Sequence, residues 1–200
     1  MSIVAVAAAL IAAPADMLAM NATGLAPAPI PSIRLNNGVL MPMVSLGTWQ
    51  YNSSVAESTV KLGLSQGVTH IDTAFTYYNQ DGVGAALKTV PRSSYFLTTK
   101  VPDCGRMGGC TDQYKNLTDA IAYDLTRLGV DHVDLMLVHW PPQTNDGKPL
   151  DCHAVQEDWR AMEDAYTAGK ARAIGVSNFC PNALQCLMRT AKVTPAVNQV

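Results

Sequence analysis

The chain has 200 residues, 48% of them hydrophobic, which is enough apolar material for one domain with a sizeable core and excludes a disordered chain. Fourteen basic against sixteen acidic residues give a net charge of −2, too small and of the wrong sign to draw the chain onto phosphate backbones or anionic membranes, so nucleic acid is not expected as a partner. Charged residues make up only 15%, and before Arg34 the single charged side chain is Asp16.

Residues 1–20 open with an apolar run, Ile3 to Ala15. It is shorter than the roughly 20 residues a membrane helix needs, so no stable membrane span is expected. The run fits the apolar part of a secretory signal and offers Ala13-Pro14-Ala15 for cleavage, although no Lys or Arg precedes it. The lack of arginine argues against an organellar transit peptide, and an Ala-rich tail ahead of a start at Met17 or Met20 is the plain alternative. The secretory pathway or the cell exterior is therefore the expected location, with the cytoplasm as its alternative. Sequons at Asn21, Asn52 and Asn116 agree with the first.

Residues 21–32 (NATGLAPAPIPS) are a Pro/Ala linker without periodicity, which leaves 33–200 as the folded domain. Ile33-Arg34-Leu35 and Val39-Leu40-Met41 flank Asn36-Asn37-Gly38, and this predicts a hairpin closed by a type I′ turn. Strand-like runs then recur at Met43–Leu46, Val68–Ile71, Tyr95–Thr98, His132–Val138, Ala171–Val176 and Pro195–Val200. Between them, a helix capped by Ser53 or Ser54 carries Val60 and Leu64 and ends at Gly67. A second, from about Thr111 to Leu128, puts Leu117, Ile121, Leu125 and Leu128 on one face before Gly129. A third, from about Cys152 to Ala168, does the same with Val155, Trp159, Met162 and Tyr166 before Gly169.

Strands alternating with helices imply a parallel sheet with right-handed crossovers. No Gly-x-Gly-x-x-Gly follows any strand, so the fingerprint of a Rossmann sheet is missing. Cys104 and Cys110 flank a Gly-rich loop that a disulfide could close, while Cys180 and Cys186 fall in or beside an apolar helical pattern and read as buried thiols. The five cysteines lack the paired short spacings of a zinc site, and no metal is expected.

In a βα barrel the reactive side chains gather at the C-terminal ends of the strands. Those ends read Gly47-Thr48-Trp49, Asp72-Thr73-Ala74, Thr99-Lys100, His139-Trp140-Pro141, Ser177-Asn178-Phe179 and Asn198-Gln199. A packed core would not select so polar and ionisable a set.

The segments IDTAFTYYNQDGVG, FLTTKV, DLMLVHWP, GVSNF and PAVNQV, in this order and at suitable spacing, resemble the aldo-keto reductase family from about Ile33 to Val200. The resemblance implies an α/β fold, the (β/α)8 TIM barrel, here incomplete with about six of its eight βα units after an N-terminal hairpin. It implies NADPH bound in extended form and hydride transfer to the carbonyl of a small-molecule aldehyde or ketone. Carried over position by position, the catalytic tetrad is Asp72, Tyr77, Lys100 and His139. As hydride reaches the carbonyl carbon, negative charge builds on the oxygen and a positioned acid must protonate it. A free tyrosine titrates near pH 10 and needs a neighbouring ammonium to release its proton more readily. Lys100 is the candidate, held by Asp72, and His139 can orient the carbonyl.

Each assignment has a plainer rival: Asp72 as a helix N-cap, Lys100 as a solvated strand-end lysine, His139 as a structural histidine, and Tyr78 in place of Tyr77 as the acid. The resemblance also assigns Ser177, Asn178 and Gln199 to the nicotinamide carboxamide, with Gly47, Thr48 and Trp49 at the nicotinamide end beside Asp72. The rival for Ser177-Asn178 is an N-cap ahead of Pro181. Trp49 and Trp140 would wall an apolar carbonyl pocket, or else pack on the barrel rim.

Three departures stand out. Many relatives have Gly-Asn-Glu after the tyrosine where this chain has Tyr78-Asn79-Gln80, and an aromatic residue where it has Pro102. A complete barrel takes about 250 residues, and this chain stops inside what looks like strand six, ahead of the units that bind the adenosine 2′-phosphate. A non-catalytic nucleotide-binding subunit of the same fold, or an inactive fragment, are the alternatives to a reductase.

Overall fold

The computed structural model describes residues 30–102, 112–142 and 150–200. The apolar N-terminal run, the Asn21 sequon and the loop holding Cys104 and Cys110 lie outside the described residues.

The chain enters through a hairpin of β1 (Ser32–Arg34) and β2 (Leu40–Pro42), antiparallel with Ile33 opposite Met41. Its turn differs from the expected type I′. Gly38 alone has positive φ, +89°, and the Leu35 N–H donates to the Val39 carbonyl at 2.8 Å around a three-residue loop. A type I turn followed by a left-handed glycine asks positive φ of one residue rather than two, so Asn37 keeps an ordinary backbone.

Six parallel strands follow in chain order: β3 (Leu46–Gly47), β4 (His70–Asp72), β5 (Phe96–Val101), β6 (Val133–Val138), β7 (Ala171–Ser177) and β8 (Asn198–Gln199). They form the curled part of a (β/α)8 barrel, each strand paired with its sequence neighbour. β5 and β6 are buried at every position, as strands covered on both faces should be. The runs at the two edges yield only two paired residues each, because an edge strand has a ladder partner on one side alone.

The helices are α1 (Ser53–Ser65), α2 (Gln80–Leu87), α3 (Gln113–Leu128), α4 (Cys152–Thr167) and α5 (Pro181–Met188). The cap of α1 is Asn52, whose Oδ1 accepts the Val55 N–H at 2.9 Å, not Ser53 or Ser54. Asp112 and Asp151 cap α3 and α4 in the same way, contacts typically worth about 1 kcal/mol each. Cys180 is an exposed N-cap of α5, and Cys186 is bonded to Cys152, so neither is the buried thiol expected. The helical phase explains the pairing: it turns Cys186 toward the first turn of α4, with the two Cα atoms 5.1 Å apart.

Two apolar layers result. Outward-facing Ile71, Leu97, Met136, Val138, Ile174 and Val176 meet the helices. Inward-facing Phe96, Leu135, Leu137 and Ala173 pack on Leu35, Val39 and Met41, so the hairpin plugs the N-terminal mouth. The C-terminal strand ends lie at the opposite mouth. Among the described residues no helix is long and apolar enough to cross a membrane.

Candidate active site

Strand alternation sends Asp72, Lys100 and Ser177 to the inner face, and His139 follows one residue after β6. Lys100 is only 3% exposed, and its ammonium is fully engaged. Its Nζ donates to Asp72 Oδ1 at 2.5 Å, to the Thr73 carbonyl at 3.2 Å and to Tyr77 Oη at 3.2 Å. The other Asp72 oxygen accepts Gln199 Nε2 at 3.2 Å, which ties β4 to β8. Asp72 therefore serves the lysine and the glutamine and caps no helix.

Tyr77 ends a short 3-10 turn, Phe75–Tyr77, that turns its phenol back over the strand ends. Its ring meets the His139 ring edge-on at 5.7 Å, and Thr76 Oγ1 lies 3.2 Å from His139 Nδ1. Tyr78 takes the left-handed backbone, φ +56°, and is 78% exposed. The loop thus brings Tyr77 and not Tyr78 to the ammonium.

Ser177 Oγ donates to the Gln199 carbonyl at 2.8 Å, and Asn178 Nδ2 donates to the His139 carbonyl at 2.9 Å and to Ser177 Oγ at 3.0 Å. Neither caps α5, whose N-cap is Cys180. The Gln199 Oε1 is buried and has no hydrogen-bond partner. Gly47 and Thr48 lie at the end of β3, where Thr48 is buried and Trp49 is 65% exposed. Trp140 is half-buried, its indole roughly parallel to His139 at 6.1 Å.

Two further groups shape the field. Burial pushes His70, one layer below the Lys100–Asp72 pair, under the usual histidine range, partly offset by its hydrogen bond to the Pro42 carbonyl and by the charge of Asp72. A neutral His70 adds no second positive charge beneath Lys100. Behind the sheet, burial raises Asp124 of α3 to about 6, against the pull of hydrogen bonds from Thr99 and Gln80.

Several contributors are absent from the sequence-based set. Thr73 gives its carbonyl to Lys100, Thr76 meets His139, and Asn79 Nδ2 donates to the Thr48 and Tyr51 carbonyls at 2.7 and 2.9 Å, fastening the β3 loop to the tyrosine loop. Asp124 had a readable signal: it falls three residues after Ile121 and four before Leu128, on the apolar stripe of α3.

The sequence profile of the Aldo/keto reductase family matches residues 43–200. The glyoxal reductase of Bacillus subtilis is 39% identical over 173 residues, covering 84% of this chain and 57% of that protein. The methylglyoxal reductase DkgA of Escherichia coli is 36% identical over 170 residues, covering 84% of this chain and 56% of that protein. Among solved structures, an aldo/keto reductase from Brucella melitensis superposes with a TM-score of 0.73 at 36% identity, covering 84% of this chain and 62% of that one. A Bombyx mori aldo-keto reductase in complex with NADP superposes at 0.72 with 31% identity, covering 85% and 57%. The chain spans a little over half the length of the curated relatives it matches. With the profile spanning most of the chain and the same fold recovered in space, the chain belongs to the aldo/keto reductase family.

Proposed function

We propose that the protein is an NADPH-dependent reductase of small aldehydes or ketones in which Tyr77 supplies the proton. The observation that carries this reading is the saturated Lys100 ammonium. All three of its N–H bonds are taken, one of them by Tyr77 Oη as acceptor, which leaves the phenol's own hydrogen for another acceptor at the strand-end face. Negative charge developing on a carbonyl oxygen there draws that proton, and the nearby ammonium stabilises the phenolate left behind. Solvent returns the proton to Tyr77 afterwards. His139, edge-on to the Tyr77 ring, would orient the carbonyl by donating a ring N–H to the same oxygen.

The cofactor reading rests on the unpartnered Gln199 Oε1. A buried acceptor without a donor is costly, and a carboxamide N–H fits it. Gln199, Ser177 and Asn178 would hold the nicotinamide amide, with Gly47, Thr48 and the exposed Trp49 at the neighbouring strand end. When bound, NADPH supplies the hydride that adds to the carbonyl carbon. Relatives named for reduction of glyoxal and methylglyoxal support small, reactive carbonyls as the substrate class.

The test is direct: the chain completed at its C-terminus with the last two βα units of a relative, the full-length protein of the experiments below, is mixed with NADPH and methylglyoxal, and loss of NADPH is compared with alcohol formed. One alcohol per NADPH consumed is expected, and faster turnover than with NADH. No consumption with methylglyoxal or any of a panel of small aldehydes, despite nucleotide binding, would favour the non-catalytic subunit instead.

A further inference from the structure

Behind the strand ends lies a line of buried polar side chains that the reaction itself does not use. Thr48 Oγ1 donates to Thr73 Oγ1 at 2.9 Å, and Thr73 Oγ1 donates to Gln80 Oε1 at 2.6 Å. Gln80 Nε2 donates to Asp124 Oδ1 and, at 3.3 Å, to Thr99 Oγ1. Thr99 Oγ1 donates to Asp124 Oδ2 at 2.6 Å. All five residues are buried, and every donor in the line runs toward the Asp124 carboxylate.

That direction is forced. An ionised carboxylate only accepts, so Gln80 must turn its amide N–H₂ to Asp124 and its oxygen to Thr73, and Thr73, its one hydrogen given to Gln80, can only accept from the Thr48 hydroxyl. Thr73 immediately follows Asp72, and Thr99 immediately precedes Lys100. Because side chains alternate across a strand, anchoring Thr73 and Thr99 on the outer face orients Asp72 and Lys100 on the inner face. Burying a carboxylate is expensive, and an apolar side chain on the α3 stripe would fill the same space without that cost.

We infer that Asp124 is a positioning residue for carbonyl reduction, fixing the Lys100–Asp72 pair from behind the sheet, directly through Thr99 and by way of Gln80 through Thr73. The inference rests on the proposed role of that pair in supporting Tyr77. Raised to about 6 by burial, the Asp124 carboxyl is still mostly ionised at neutral pH, as the acceptor role requires. Gln80 is the complementary half: an amide can face a carboxylate on one side and a hydroxyl on the other.

The test uses the full-length protein, with NADPH and methylglyoxal as probes. In Asp124→Asn the new amide sets a donor against Gln80 or Thr99, and kcat should fall by at least about tenfold while KM moves much less. Adding Gln80→Glu reverses the polarity of the pair. The introduced amide would then donate to the introduced carboxylate and accept from Thr99, and that carboxylate would also accept from Thr73. The double variant should regain most of the lost kcat. Thr99→Val, which keeps the shape and removes the hydroxyl, is a second route to the same kcat loss if Asp124→Asn folds poorly. Leu125→Ala, at the residue next to Asp124 on the buried side of α3 and without a polar link, is the control and should lower thermal stability with little change in kcat.

Wild-type kcat in both Asp124→Asn and Thr99→Val, no rescue in a folded double variant, or an equal kcat loss in Leu125→Ala would each overturn the inference. Tyr77→Phe is assayed alongside. If it is inactive while Asp124→Asn is fully active, only the positioning role falls; if it retains turnover, the acid assignment falls and the inference with it.

Discussion

Lys100 is a buried cation whose three hydrogens all have acceptors, and the arrangement is stable only as a unit. Lys100→Met strands Asp72 in the interior with only Gln199 as a donor. Breaking such a pair is expected to lower stability by about 3–5 kcal/mol, and turnover by at least about 10². Urea unfolding and steady-state kinetics measure the two effects, and Asp72→Asn combined with Lys100→Met should cost less stability than the sum of the singles. Asp124 makes a separate prediction about pH. Its folded carboxyl titrates near 6 against an unfolded value of 3.8, so the folded state holds the proton more tightly. The stability this contributes is complete below the unfolded value and is lost as pH rises through about 6, an effect of roughly 3 kcal/mol. The difference in unfolding free energy between the wild type and Asp124→Asn should therefore drift across that window, and a flat difference would mean that Asp124 ionises normally. The ionisable strand-end residues could be read from the chain because each directly follows or ends an apolar run. The partners of Thr76, Asn79 and Gln80 could not, since they depend on how α2 and α3 rotate against the sheet.

Among the elements, α2 is the one the sequence concealed. It is eight residues long and contains Gly82 and Gly84, each unfavourable by about 1 kcal/mol in a helix interior, so propensity alone argues against it. Packing supplies the reason for both glycines. A Cβ on Gly82 would sit 1.9 Å from the Ser53 carbonyl oxygen, and one on Gly84 would sit 2.6 Å from the Leu128 oxygen. The helix thus lies directly against the start of α1 and the end of α3, which brings Asn79 and Gln80 to the strand ends. Gly82→Ala should destabilise by about 1–3 kcal/mol although alanine is the better helix former, and a raised melting temperature would contradict that close contact. α3 and α4 were legible with little error because their long amphipathic stripes stop at Gly129 and Gly169, both of which take positive φ. The hairpin was legible in its existence and mistaken in its turn, a distinction that rests on the φ of one residue, Asn37.

At the scale of the molecule, the barrel's direction was foreshadowed by six polar strand ends in a row, which the structure gathers at one mouth. What the six strands do not do is close: β3 and β8 are the two edges of the sheet, with Met43, Val44 and Leu62 exposed near one and Met188 and Val200 near the other. Unpaired edge N–H and C=O groups beside apolar side chains invite pairing with another chain. A polypeptide of these 200 residues alone is expected to self-associate and to show no aldehyde reduction, as judged by light scattering and NADPH consumption. A monomer of that length melting cooperatively and turning over substrate would refute this. The proposed role of Tyr77 as proton donor is decided by comparing Tyr77→Phe with Tyr78→Phe in the full-length protein, measuring methylglyoxal turnover and NADPH binding together. Turnover should fall by at least about 10² in Tyr77→Phe with nucleotide affinity nearly unchanged, and stay near normal in Tyr78→Phe. A crippled Tyr78→Phe beside an active Tyr77→Phe would contradict that role.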